Sequence, residues 1–236
     1  MAEKGIIFST EMVKAVLDGK KTQTRRVIKG ADTNWEFCNL NNNAAMTKVN
    51  KSGEEYPKEV DGLWATFERE GNPQFPMFKS KYQPGDILYV KEKWRTHCNF
   101  DGEYCYYADD HVCKDDGCKW KSPMFMPRAA ARILLRVERV GGERLQDISA
   151  NDCIAEGICP PPYYKPEYTT YEIMPMTCNA LKGEYARVWN KINGKKDGGA
   201  YLWVNNPWVW VYEFKLSNNA CHMPTNRHLK KGRAMY

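Results

Sequence analysis

The stretch IIFSTEMVKAVLDGKKTQTRRVI, residues 6–28, decides how the chain is read. Ile6-Ile7-Phe8 is a short apolar run and predicts a strand. Ser9 or Thr10 can accept the first free amides of a helix, and Glu11 suits its positive end. Met12, Val13, Val16 and Leu17 fall on one face at helical spacing, and Gly19 fits the left-handed stop. A helix of about two turns is expected, ending at Gly19. The cations and hydroxyls of Lys20-Lys21-Thr22-Gln23-Thr24-Arg25-Arg26 follow directly, before Val27-Ile28. That composition predicts a loop or the start of a strand, not core.

Outward from this unit, residues 29–80 change character. They are rich in Asn, Lys, Glu and Gly, with Trp35, Phe37, Leu63, Trp64 and Phe67 scattered among them. Short hairpins or an insertion packed on the body are expected. Pro84-Gly85-Asp86 is a turn, and Ile87-Leu88-Tyr89-Val90 a strand. Tyr104 to Ala108 and Ile133 to Val140 read as further strands, the latter broken by Gly141-Gly142. Ser149 caps a short helix that ends at Gly157. Residues 159–177, with Pro160-Pro161-Pro162, form an irregular connection. Leu181, Tyr185, Val188, Trp189 and Ile192 recur at helical spacing, which makes 179–192 the longest helix. Trp208 to Leu216 is the last strand. Strands outnumber helices and helices lie between them, so the class is α+β, with a sheet mostly antiparallel or barrel-like.

The chain has 236 residues and a formal net charge of +6. With 42% hydrophobic and 27% charged residues it is neither disordered nor fibrous. No apolar run approaches membrane-spanning length, and MAEKGIIFST lacks a signal-peptide apolar region. A soluble, cytoplasmic protein is expected. The charge sits at the ends. Residues 1–30 hold seven Lys/Arg against three acids, and 222–236 hold Arg227, Lys230, Lys231 and Arg233 with no acid. Such placement suits a polyanion partner, or a solvated start and a flexible tail over 221–236. Nine cysteines without an export signal argue against a disulfide framework. His97, Cys98, Cys105, His111, Cys113 and Cys118 cluster, but no paired short spacing is present. Reduced thiols are the default, structural zinc the alternative, and no cofactor is expected.

A series of motifs occurs in order: Gly19-Lys20-Lys21-Thr22-Gln23-Thr24-Arg25-Arg26 as G-x-K-x-x-T-x-R, then Pro84-Gly85-Asp86, Lys91-Glu92-Lys93-Trp94 and Met126-Pro127-Arg128. Arg144-Leu145-Gln146-Asp147-Ile148, Ala155-Glu156-Gly157 and Asn206-Pro207-Trp208-Val209-Trp210 complete it. The series resembles the ASCH domain family, particularly its phage and prophage members. The resemblance implies one domain over residues 1–220, a PUA-like β-barrel core flanked by short helices, and insertions at about 29–80 and 96–122. It also implies a cleft for RNA or a modified nucleoside. Relatives in a small bacterial branch hydrolyse the amide of N4-acetylcytidine with a Lys, a Thr and a Glu. By resemblance these fall on Lys21, Thr24 and Glu156. Other relatives are nucleases or uncharacterised, and this chain is about twice the length of the small hydrolase.

The residue types suit that chemistry. Thr24 offers a hydroxyl nucleophile. Lys21, crowded by Lys20, Arg25 and Arg26, is a candidate base with a depressed pKa. Glu156 can carry a proton to the leaving amine, and Arg25 or Arg26 can hold a phosphate or developing negative charge. Trp94 and Trp208 lie beside charged motifs and can stack on a single-stranded base, or simply pack in the core. Arg128 can contact phosphate or base, or form a surface ion pair. Two function classes follow: a reader of single-stranded nucleic acid, and a hydrolase acting on a modified nucleoside or on RNA. A weaker third is an accessory protein that contacts a host protein through 160–175.

Overall fold

The computed structural model describes residues 2–49, 55–68, 76–97, 103–110, 119–159 and 173–217. In chain order the elements are β1 (Glu3–Ile7), α1 (Thr10–Leu17), β2 (Gln23–Val27), β3 (Glu36–Val49), β4 (Glu55–Glu68), β5 (Met77–Lys79) and β6 (Ile87–Lys91). Then come β7 (Trp94–Thr96), β8 (Tyr104–Tyr106), β9 (Leu134–Arg144), α2 (Ala150–Ala155), α3 (Ile173–Asn193) and β10 (Trp208–Leu216). The class is α+β. The basic tail at 221–236, the proline stretch at 160–162, most of the 160–175 segment, and Cys98, His111, Cys113 and Cys118 lie outside the described residues.

The central sheet runs β1-β6-β9-β10-β2. Only β1 and β6 pair in parallel; the other neighbours are antiparallel. Its outer strands, β1 and β2, share no backbone ladder, so the sheet is not closed by pairing. Side chains cross the gap instead. Arg26 Nη2 on β2 donates to the Ile7 carbonyl on β1 at 3.2 Å. The Tyr82 hydroxyl donates to the Gly5 carbonyl at 2.9 Å, and Ser80 Oγ lies 3.0 Å from the Tyr212 hydroxyl of β10. The result is a barrel-like core with a side-chain seam.

β10 shows why the core has two layers. Trp208, Trp210, Tyr212 and Phe214 alternate into the main core with Ile6, Phe8, Leu88 and Leu135. Val209, on the opposite face, packs with Leu145, Ile148, Leu181, Tyr185 and Trp189 beneath α2 and α3. A satellite cluster of Trp94, Tyr106, Met126 and Ala130 holds the β7–β8 hairpin. Beside it, buried Glu92 receives two bonds from Arg132, which also reaches Asp109 at 2.8 Å.

Local signals act as expected at the helix ends. Ser9 accepts from the Met12 amide, and Gly19 takes φ +71°. Ser149 and Asp152 form a reciprocal capping box on α2. Three expectations are corrected. α3 begins at Ile173, inside the 159–177 stretch expected to be irregular, and not at 179. Residues 29–80 pack on the body, one of the two alternatives, but not as short hairpins: β3 and β4 are 14 residues each, and β5 extends their sheet. Leu63, Ala65 and Phe67, on one face of β4, enter the main core. Gly141-Gly142 does not end a strand either; β9 continues to Arg144, with Gly142 opposite Trp210. A Cβ at Gly142 would stand 2.6 Å from the Phe37 ring, so the glycine admits the hairpin's aromatic residue rather than breaking the strand.

Candidate functional site

The cations after α1 are not a solvated helix end. Lys21, Thr24 and Arg25 are buried, with relative exposures of 2%, 0% and 2%. β2 carries Thr24 and Arg25 inside because β10 pairs along it, setting Thr24 opposite Tyr212 and Arg25 opposite Val211. Lys21 lies just before β2, its amide bonded to the Ala15 carbonyl at the end of α1. Gly157, at φ +92°, turns the chain after α2 so that Glu156 meets them.

Lys21 Nζ donates to the Glu156 carboxylate and to its backbone carbonyl, each at 2.8 Å. Arg25 Nη1 reaches the same carboxylate at 3.3 Å, and its Nε binds Glu143 at 2.7 Å. Asp152 lies 3.6 Å from Arg25. The Tyr185 hydroxyl donates to Glu156 at 3.4 Å. A buried carboxylate is thus shared by two cations and a phenol, which offsets much of its desolvation. Burial pulls the Lys21 ammonium below the ordinary lysine range, and Glu156 opposes that pull. Like-charge crowding by Arg26 and Arg25 lowers Lys21 only as a lesser cause. For Arg25, burial is outweighed by Glu156 and Glu143, which leave it above its usual value. Burial pushes the Tyr185 hydroxyl far up.

Thr24 is different. Its hydroxyl is buried and has no hydrogen-bond partner among the described residues. By strand alternation it shares a face with Arg26, opposite that of Arg25. Lys21 and Glu156 are therefore joined to each other, and Thr24 is not bonded to either.

A cavity of about 520 Å³ opens beside β2. Arg26, Lys29, Lys79, Lys81 and Lys196 line it, together with Phe78, Tyr82, Tyr201, Trp210 and Tyr212. No carboxylate among the described residues does. Burial, then Arg26, pulls the Lys81 pKa down; burial, then Arg26 and Lys29, does the same to Lys196. Arg26 connects the cavity to the buried pair. Its guanidinium lies 5.9 Å from the Phe8 ring centroid, and the Lys21 ammonium lies 5.4 Å from the same ring.

Among the other expected site residues, Lys20 is exposed and pairs with Asp18 at 3.2 Å. Arg128 binds Glu3 through two nitrogens, on the β1 side of the sheet, with Tyr89 beneath it. Trp94 packs edge-on to Tyr104, with Lys121 over its ring. Trp208 donates its indole N–H to the Trp35 carbonyl and is wedged against Phe37 and Phe67. Neither tryptophan presents an open face, so the core-packing alternative describes their surroundings. Among the described residues, no three His, Cys, Asp or Glu side chains gather as metal ligands. No helix there is long and apolar enough to cross a membrane.

No family model matches the chain, and no curated protein matches it. Among solved structures, the chain is similar to the ASCH domain from Lactobacillus crispatus JV V101. The identity is 8% and the TM-score 0.36, covering 91% of this chain and 79% of that one. A TM-score of that size does not fix strand arrangement, which here follows from pairing and packing.

Sequence reasoning missed the residues that line the cavity, Arg26 apart. Lys79 and Lys81 flank buried Ser80 and come from a segment of ordinary composition. Lys196 and Tyr201 follow α3 and carry no motif. The partners of Arg25, namely Glu143 and Asp152, and the Tyr185 contact to Glu156 also had no sequence signal.

Proposed function

We propose that the protein binds RNA or a modified nucleoside, single-stranded where it is a polymer, in the basic cavity beside β2. The observation that carries this reading is a cavity with five cations, five aromatic residues and no lining carboxylate among the described residues. Phosphate supplies the missing negative charge, and the aromatic wall suits a base. Titration of short single-stranded RNA at low and moderate salt tests it. Affinity is expected to fall as salt rises, because bound phosphates release counterions. Absent binding, or binding indifferent to salt, overturns the reading.

A second reading is hydrolysis of an N4-acetylcytidine-type amide by Lys21, Thr24 and Glu156. What favours it is the buried, unbonded Thr24 hydroxyl close in sequence to a buried Lys–Glu pair. In this scheme the Thr24 oxygen attacks the acetyl carbonyl and Lys21, deprotonated, takes its proton. Lys21 passes that proton through Glu156 to the amine as the C–N bond breaks, and water then hydrolyses the Thr24 acetyl ester, releasing acetate and restoring the hydroxyl. Mass-spectrometric assay of N4-acetylcytidine turnover tests it. Loss of product in Lys21→Met and Glu156→Gln variants that remain folded supports the scheme, and activity that survives both rejects it. A phage or prophage origin, with action in the cytoplasm of a bacterial host, belongs to the same reading.

A further inference from the structure

Among the described residues, the cations around the cavity lack carboxylate partners, as do Lys91, Arg144 and Lys182, which bond only to carbonyls elsewhere; ten others are paired. Lys4, Lys14, Lys20, Lys21, Arg25, Arg128, Arg132, Arg139, Arg187 and Lys215 each pair with a carboxylate. Among the described residues, Arg26, Lys29, Lys79, Lys81 and Lys196 have no such partner. Arg26 spends two bonds on the Arg25 and Ile7 carbonyls, which fix its planar head without neutralising it. Lys196 bonds only to the neutral Asn193 side chain, and Lys81 to the Gly5 carbonyl. Gathering five like charges without counter-charge is unfavourable in the empty protein.

Their arrangement is also informative. They come from three separated segments: Arg26 near the end of β2 with Lys29 just after it, Lys79 at the end of β5 with Lys81 just after it, and Lys196 in the turn after α3. Three separated segments thus supply cations to one cavity, rather than one strand or helix carrying them in line along its length. A strand held along its backbone needs a row, since each internal diester carries one charge and successive phosphates are spread out. Cations gathered on one cavity suit one compact ion of higher charge. A phosphomonoester has about −1.5 to −2 charge at neutral pH and three strong acceptor oxygens. A cavity of about 520 Å³ is of the size that takes one small ligand. Phe78 and Tyr201 are partly exposed at its wall, whereas Trp210 and Tyr212 are buried beneath.

We infer that the cavity recognises a nucleotide through its terminal phosphomonoester, with one base against the aromatic wall, rather than the internal phosphates of a passing strand. The inference rests on the nucleic-acid reading above and narrows its ligand to a phosphorylated end or a free mononucleotide. Burial first, and like-charged neighbours second, lower the pKa of Lys81 and Lys196.

Calorimetric titration of the full chain separates the sources. The probes are one short single-stranded RNA with a 5′-phosphate, with a 3′-phosphate and with neither, plus a nucleoside 5′-monophosphate and its nucleoside. The expected result is that one phosphorylated RNA binds at least about tenfold more tightly than the unphosphorylated one. Lys81→Ala and Lys196→Ala, both at exposed positions, should reduce that preference without unfolding the protein. If all three RNAs bind equally, the terminal-phosphate inference falls while the RNA reading stands. If only the monophosphate binds, and its nucleoside does not, the inference holds for a free nucleotide and the RNA reading falls. If no probe binds, both fall.

Discussion

Lys21 has one carboxylate partner, Glu156, whereas Arg25 has three: Glu156, Glu143 and Asp152. Removing one member of a buried pair leaves the other charged and unsolvated, at a cost of about 3–5 kcal/mol. Glu156→Gln should therefore destabilise the fold by about that much, chiefly through Lys21. Adding Lys21→Met should recover part of the loss. Urea unfolding of both singles and the double checks this, and simple additivity would show that the two side chains are uncoupled. The buried phenols make a second residue-level prediction. Burial pushes Tyr82, Tyr106 and Tyr212, and the Cys153 thiol, up to about 12. In the unfolded chain these groups ionise at about pH 8.5 to 10. Their contribution is whole below that range and is lost as pH rises toward about 12. Lys21, Lys81 and Lys196, with their lowered pKa values, work in the opposite direction, but Tyr185 joins the buried raised groups and makes five against three. Stability should fall between about pH 9 and pH 12, with tyrosinate absorbance appearing together with unfolding.

The β3–β4 hairpin looks dispensable in sequence, yet Leu63, Ala65 and Phe67 are part of the main core, and Phe67 is fully buried. Phe67 touches Trp35, Phe37, Phe78 and Trp208. Phe67→Ala should cost about 3–5 kcal/mol in thermal or urea unfolding. A loss below about 1 kcal/mol would mean that the hairpin is an appendage. Gly157 is the element-level control on the buried pair. It holds φ +92°, and a Cβ there would lie 3.0 Å from that of Ala15 and 3.4 Å from that of Lys21. Gly157→Ala should cost about 1–3 kcal/mol from backbone strain and pressure on that contact. Helix caps, α3 and β10 were legible because each depends on neighbours within a turn or on simple alternation. The reach of β4 into the core was not, because its polar outer face and its Asn-rich partner strand mask the period.

At the scale of the molecule, the seam between β1 and β2 matters most. Arg26, Ser80, Tyr82 and Tyr212 bridge the sheet's unpaired edges and also line or adjoin the cavity. Closing the barrel with side chains rather than a ladder leaves room there for a ligand. If single-stranded RNA binds, each cavity cation that meets a phosphate should contribute about 0.7 to the slope of log affinity against log salt. Lys196→Ala should flatten the slope by about that amount, while Lys215→Ala, paired with Glu138 away from the cavity, should not change it. Equal effects of the two substitutions would point to diffuse attraction rather than a site.

The sequence by itself determined the α+β class, the capped ends of α1 and α2, the last strand, and the basic segment around Lys21 to Arg26. Those features follow from near-neighbour chemistry: hydroxyl caps, glycine stops and apolar periods. Only the tertiary structure decided that Lys21 and Arg25 are buried on Glu156, some 130 residues away along the chain. It likewise turned Trp94 and Trp208 inward and brought Lys79, Lys81 and Lys196 round one cavity. Burial and long-range pairing depend on which strands become neighbours, and a charged residue reads the same in sequence whether its partner is water, a carboxylate or an incoming phosphate.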